Sequence, residues 1–167
     1  ATQQGDGFLL RLGAQHGHRW PTKDYGGEQE QYKGAFVMEP TRLGVIDDVH
    51  VCDFAGLYPS IMRTWNMSPE TLLGPGGDVP ACRLPYEGAT QRFRLDRRGV
   101  VAMARDHLLN LRSEFTRKSD AAEPGSPDQV AFNRLSQGCK ICVNSFYGIV
   151  GSPWTRFFSW AVAEGVT

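Results

Sequence analysis

Apolar and polar positions divide the chain into a weakly patterned start, a short β-like run, a Gly/Pro-rich middle and two long helical repeats. Residues 1 to 34 are rich in Gly, Gln and His, which predicts a connecting region without a core and one short strand at Phe8-Leu9-Leu10-Arg11-Leu12. The run Val45-Ile46-Asp47-Asp48-Val49-His50-Val51-Cys52 is β-branched and partly alternating, so a strand is expected to end at Asp53. A short helix is expected over 61–73, stopped by Gly74-Pro75-Gly76-Gly77-Asp78-Val79-Pro80, whose composition forbids regular structure, with the loop running to about Gly88.

Beyond Gly99 the period changes. Ala104, Leu108, Leu111 and Phe115 fall at i, i+4, i+7 and i+11, one buried stripe of a helix that ends near Ser119. Ala121-Ala122-Glu123-Pro124-Gly125-Ser126-Pro127 is turn-rich, and Asp128 is the expected cap of a second helix running through Tyr147. The result is a helical hairpin. Arg112 lies twelve residues before Pro124 and Lys140 sixteen after it. At ~1.5 Å per residue they stand about 18 and about 24 Å from the turn, close enough in height to hold one ligand together. On the second helix, at ~100° per residue, Lys140, Asn144 and Tyr147 share an arc of about 60°, while Cys139, Cys142, Phe146 and Ile149 lie on the opposite, apolar side.

Composition is that of a soluble globular protein, with 167 residues, 41% hydrophobic and 22% charged, enough for one domain or pieces of two. Eighteen basic residues balance eighteen acidic ones, so total charge announces no nucleic-acid partner. Between Arg92 and Lys118, however, eight basic residues stand against three acidic ones, an excess of five positive charges that a phosphate-bearing ligand would prefer. No apolar run approaches the ~20 residues of a membrane span and the start is not a secretory signal, so an intracellular protein without a membrane partner is expected. Cys139 and Cys142 form a C-x-x-C that reads as buried packing against the alternatives of half a zinc site or a redox pair. His16-Gly17-His18 reads as a solvated loop rather than a metal site.

Three segments carry chemistry. Asp53-Phe54-Ala55-Gly56-Leu57-Tyr58-Pro59-Ser60-Ile61-Met62 resembles motif A, D-x-x-S-L-Y-P-S-I-I, of the family B (alpha-type) DNA polymerases, and the likeness extends through Asn66-Met67-Ser68-Pro69-Glu70-Thr71-Leu72. Lys140-Ile141-Cys142-Val143-Asn144-Ser145-Phe146-Tyr147-Gly148 resembles that family's motif B, K-x-x-x-N-S-x-Y-G. Tyr32-Lys33-Gly34-Ala35 resembles the Y-x-G-G/A loop that precedes the polymerase core. The resemblance implies an α+β fold: a partial palm, an antiparallel sheet with helices, plus a two-helix fingers hairpin. Its parts would be a connecting region at 1–34, palm with motif A at 35–98, fingers with motif B at 99–150 and a return toward the palm at 151–167.

The resemblance also implies an activity, transfer of a deoxynucleotide from a dNTP to a primer 3′-hydroxyl on a template, with two Mg²⁺ ions held by carboxylates. Asp53 would be the catalytic metal ligand, joined by the backbone carbonyl of Phe54. Gly56, Leu57, Tyr58, Arg112, Lys140 and Asn144 would bind the nucleotide, Tyr58 acting as a steric gate against a ribose 2′-hydroxyl. Tyr147 and Gly148 would floor the nascent base pair, and Tyr32 and Gly34 would touch template DNA. From the residues alone, Tyr58 as a core tyrosine and Arg112 as part of a solvated helix face stay open.

Three departures bear on this. Gly56 stands where motif A has Ser, and Thr116 stands four residues after Arg112 where many relatives carry Lys, leaving the second fingers cation unassigned. Motif C, Y-x-D-T-D, is absent, and Ala163-Glu164-Gly165-Val166-Thr167 resembles a segment upstream of it. The chain is therefore expected to be an inactive internal piece, partnered by primer-template DNA, dNTP and the rest of a polymerase chain: a motif C palm, a thumb and an exonuclease domain. The alternative is a non-catalytic nucleic-acid-binding remnant using the Arg92–Lys118 patch.

Overall fold

The computed structural model describes residues 2–22, 34–74, 76, 78–85 and 88–167. Among the described residues, helix α1 (Thr2–Gln15) is followed by α2 (Leu57–Thr64), a single 3₁₀ turn (Pro69–Thr71), strands β1 (Leu72–Leu73), β2 (Ala81–Arg83) and β3 (Arg92–Arg94), then α3 (Val100–Ala121), α4 (Pro127–Val150) and α5 (Trp160–Val166). The fold is α+β, and the described residues include a small antiparallel sheet of order β1-β3-β2. Phe93, on the central strand, is opposite Leu72 and Cys82 and is fully buried.

The hairpin is the largest packing unit, α3 lying along α4. Ala104 and Leu108 are buried on it, and Leu111 and Phe115 pack against the same core half-buried. Near the tip the contact turns polar: the hydroxyls of Thr116 and Ser136 are 2.9 Å apart, and Ser119 Oγ donates to the Gln129 carbonyl at 3.2 Å. The cap of α4 is Ser126 rather than Asp128. Ser126 Oγ accepts from the Gln129 amide at 3.2 Å, because Pro127 takes the first helical position and fixes the backbone one residue earlier. Asp128 then lies in the first turn, where its charge suits the helix dipole.

The expected strand at Phe8–Leu12 is helical, and the start of the chain does contribute core. Leu9 is fully buried, and a Cβ placed on Gly5 would stand 2.5 Å from Ile149 Cδ1, so a side chain there would have to displace the end of Ile149. Asp6 pairs with Arg156 at 3.6 Å and Phe8 stacks on His107. Tertiary packing overrides a helical pattern that the glycines had diluted.

The expected strand before Asp53 is absent: residues 34–53 form no regular element, and Val45 is 99% exposed. A strand needs a ladder partner, and among the described residues none lies beside this run. The expected helix over 61–73 begins earlier and ends at Thr64, where Asn66 takes a left-handed φ of 53°. The expected loop to Gly88 contains β2.

Asn66 organises the base of the hairpin. Its Nδ2 donates to the carbonyls of Arg94 (2.7 Å) and Arg97 (2.9 Å), and its Oδ1 accepts from the Gly99 amide at 2.8 Å. Glu70 Oε1 accepts from the Val100 amide at 2.5 Å, and Ser68 Oγ from that of Val101 at 3.4 Å. The first amides of α3, which no helical carbonyl can serve, are thus capped by a segment thirty or more residues away. That fixes α3 relative to α2.

Candidate functional site

A cleft of about 540 Å³ opens where the turn before α2 meets the facing sides of α3 and α4. Asp53 and Gly56 come from the turn, Arg105 and Arg112 from α3, and Lys140 and Asn144 from α4. Pro59, Leu109 and Val143 line its apolar part. The predicted pairing of Arg112 with Lys140 on one space is therefore observed.

Gly56 caps α2 in a left-handed conformation, φ 64° and ψ 52°. The nearest atom to a Cβ there would be Asn144 Oδ1 at 4.0 Å, so the demand on this position is torsional rather than steric. An L residue would take that conformation at a cost of roughly 1–2 kcal/mol. The turn that the glycine permits aims the backbone between Asp53 and Leu57 into the cleft mouth.

Tyr58 and Tyr147 meet, their ring centroids 4.6 Å apart at 56°. Both are half-buried and packed on the core beside the cleft rather than among its lining residues, which agrees with the reading of Tyr58 as a packed tyrosine. Phe54 and Leu57 are exposed at the turn, and Gly148 is exposed with nothing within 4 Å of a Cβ position. Gly34 does not join the cleft; it lines a separate groove with Phe36, Ile61 and Trp65. Tyr32 lies outside the described residues.

Asp53 brings one exposed carboxylate, and among the described residues no group of three or more His, Cys, Asp or Glu is placed to hold a metal ion. One carboxylate fits as a single metal ligand and is not by itself a metal site. Cys139 is buried and Cys142 half-buried on the core side of α4. Burial pushes both thiols up, at Cys139 against the pull of Arg112 and at Cys142 with the neighbouring Cys139 adding to the rise. Thiols held protonated in this way suit packing.

The basic run is not one patch. Arg94 pairs with Asp96, Lys118 with Glu114 at 2.6 Å, and Arg97 donates to the Glu70 carbonyl at 3.0 Å. Arg63, Arg98 and Arg105 converge on the single carboxylate of Asp106, at 2.7, 2.9 and 3.2 Å. Burial raises the Asp106 carboxyl, but hydrogen bonds from the three guanidiniums outweigh it and hold the group below the ordinary carboxylate range. Arg105 is the cleft residue that the sequence treated only as part of a charge run. The signal that finds it is its spacing of seven from Arg112, two helical turns on one face.

The profile described as DNA polymerase family B matches residues 2–167. DNA polymerase 1 of Saccharolobus solfataricus is 34% identical over 143 residues, covering 81% of this chain and 16% of that protein. DNA polymerase 2 of Aeropyrum pernix is 31% identical over 162 residues, covering 95% of this chain and 20% of that protein. The solved family B DNA polymerase of Pyrobaculum calidifontis superposes with a TM-score of 0.81 at 32% identity, over 99% of this chain and 22% of that one. The chain thus spans about a fifth of the length of these relatives. No helix among the described residues is long and apolar enough to cross a membrane.

Proposed function

The chain belongs to DNA polymerase family B, and from that premise we propose that it is the dNTP-binding palm and fingers part of a polypeptide that extends a primer on a DNA template. The observation that carries the reading is the convergence of Asp53, Gly56, Arg112, Lys140 and Asn144 on one cleft from three separate elements.

In this reading a dNTP enters with its triphosphate between α3 and α4. Lys140 meets a phosphate oxygen as a point charge, and Arg112 forks onto the terminal phosphate with two parallel N–H donors. Asn144 donates to the triphosphate or the sugar. The amides of the turn from Gly56 to Tyr58, whose first residue holds a positive φ, form a concave donor set of the kind that binds anions. The Tyr58 ring, braced by Tyr147, lies under the sugar and leaves no room for a 2′-hydroxyl. Gly148 leaves the nascent base pair unobstructed. The Asp53 carboxylate and the Phe54 carbonyl would hold divalent ions, taken to be two Mg²⁺, which when bound activate the 3′-hydroxyl and neutralise pyrophosphate. Among the described residues lining the cleft Asp53 is the one carboxylate, so holding two ions requires a further carboxylate beside it.

The non-catalytic alternative rests on a continuous basic surface, and the pairing of Arg94, Arg98 and Lys118 with acids disfavours it. The test is primer extension by the full-length polypeptide carrying this segment. Asp53→Ala is expected to reduce extension at least about a thousandfold, the scale on which an essential charge-stabilising group acts, with duplex affinity changed less than about threefold. Undiminished synthesis by that variant would rule the reading out.

A further inference from the structure

We infer that Arg105 is a third phosphate-binding residue of the cleft, holding the phosphate nearest Asp53, an assignment that rests on the dNTP-binding reading above. Along the hairpin the cleft has two levels. Arg112 and Lys140 are twelve and sixteen residues from Pro124, whereas Arg105 and Asn144 are nineteen and twenty residues away. At ~1.5 Å per residue the second pair stands at about 28 and about 30 Å from the turn, deeper and beside Asp53 and Gly56. A triphosphate extended down the hairpin from the outer pair reaches the inner pair with its sugar-proximal end, where the reacting phosphorus lies.

The charge on Arg105 is poorly matched in place. One Asp106 carboxylate faces three guanidiniums, and Arg105 has the longest of the three contacts at 3.2 Å, against 2.7 Å for Arg63 and 2.9 Å for Arg98. Its other recorded bond is from Nη2 to the neutral Ser60 Oγ, also 3.2 Å. Arg105 Nε is buried and has no acceptor among the described residues. The side chain is only 19% exposed and lines the cleft, so it is a largely desolvated cation with donors to spare. A phosphate oxygen is a better acceptor than a serine hydroxyl for such a group, and the exchange neutralises a charge that Asp106 shares three ways. Ser60 and Asp106 act as tethers that keep the guanidinium turned toward α2 until the ligand arrives. Leu109, on the same face between the two arginines, keeps the levels apart.

The experiment measures dNTP affinity and single-turnover incorporation in the full-length polypeptide, for the wild type, Arg105→Gln, Arg105→Lys, Ser60→Ala and Arg112→Ala. Arg105→Gln is expected to weaken dNTP binding about tenfold or more, as loss of a charge-assisted bond does, and to flatten its salt dependence. Arg105→Lys restores part of the affinity and the salt dependence. Ser60→Ala removes the tether and does not share the loss. If Arg105→Gln and Ser60→Ala weaken binding equally, Arg105 is a structural brace and the assignment falls. Arg112→Ala weakened with Arg105→Gln unaltered overturns the Arg105 assignment alone. A wild type that binds no dNTP overturns both this assignment and the reading beneath it.

Discussion

The rings of Tyr58 on α2 and Tyr147 on α4 lie 4.6 Å apart at 56°, so the tyrosine of one motif is braced by the tyrosine of the other. Tyr58→Val removes both the ring proposed to lie under the sugar and the brace on Tyr147. We expect the preference for dNTP over rNTP to fall at least about a hundredfold, the scale of a lost steric exclusion of one hydroxyl-sized group. Tyr58→Phe keeps the ring and is expected to keep the preference. Incorporation efficiencies for matched ribo- and deoxynucleotides decide the point; equal discrimination in the valine variant contradicts the role.

Asn66 makes three hydrogen bonds from a buried side chain, one of them to the first amide of the α3 base. Asn66→Ala leaves two carbonyls and one amide without that partner, at a cost of roughly 2–4 kcal/mol for the set. Amide exchange at Gly99 is expected to accelerate at least about tenfold. Exchange at Gly99 that stays as slow as in the wild type would show that the cap is dispensable.

Asp106 sets an acid limb. Its folded pKa is lowered, against the opposing effect of burial, by Arg63, Arg98 and Arg105. A lowered folded value means the stabilisation is fully present above the ordinary aspartate pKa of about 3.9 and is lost as pH falls through the lower folded value. Stability from this cluster is therefore level from about pH 5 upward and declines below about pH 4. Asp106→Asn should remove that part of the acid decline while lowering stability at pH 7. An Asp106→Asn profile parallel to the wild type from pH 7 to pH 3 contradicts the assignment.

Thiol labelling separates the cysteines. Cys52 is exposed, whereas burial raises the pKa of Cys82, Cys139 and Cys142. At pH 7.5, alkylation followed by peptide mapping is expected to modify Cys52 at least about tenfold faster than Cys139, since only thiolate reacts and only exposed thiol is reached. Comparable rates would mean the C-x-x-C is not packed as described.

What could be read from sequence was local and periodic. The hairpin was legible because Ala104, Leu108, Leu111 and Phe115 repeat at helical spacing and Gly125-Ser126-Pro127 punctuates it, so the meeting of Arg112 and Lys140 follows from counting residues. What escaped depends on distant partners. Leu9 is buried in a core that α1 shares with α3 and α4, elements about a hundred residues away. The strand before Asp53 has the composition of a strand but no ladder among the described residues. The capping of α3 by Asn66, Ser68 and Glu70 joins positions about thirty residues apart, and no spacing rule reaches that far. Arg105 was visible as a charge but not as a cleft residue, because its role depends on which face of α3 meets the turn at Gly56.

The remote cap on α3 makes the helix a lever with a fixed pivot. Val100 is held at the base, and Arg112 is twelve residues along, about 18 Å away at ~1.5 Å per residue. A tilt of about 10° at the pivot carries Arg112 through about 3 Å, the length of one hydrogen bond, whereas Arg105, five residues from the base, moves only about 1.3 Å. The inner cation is therefore nearly stationary while the outer one swings, so the same small rotation shifts Arg112 relative to the turn at Gly56 more than twice as far as Arg105.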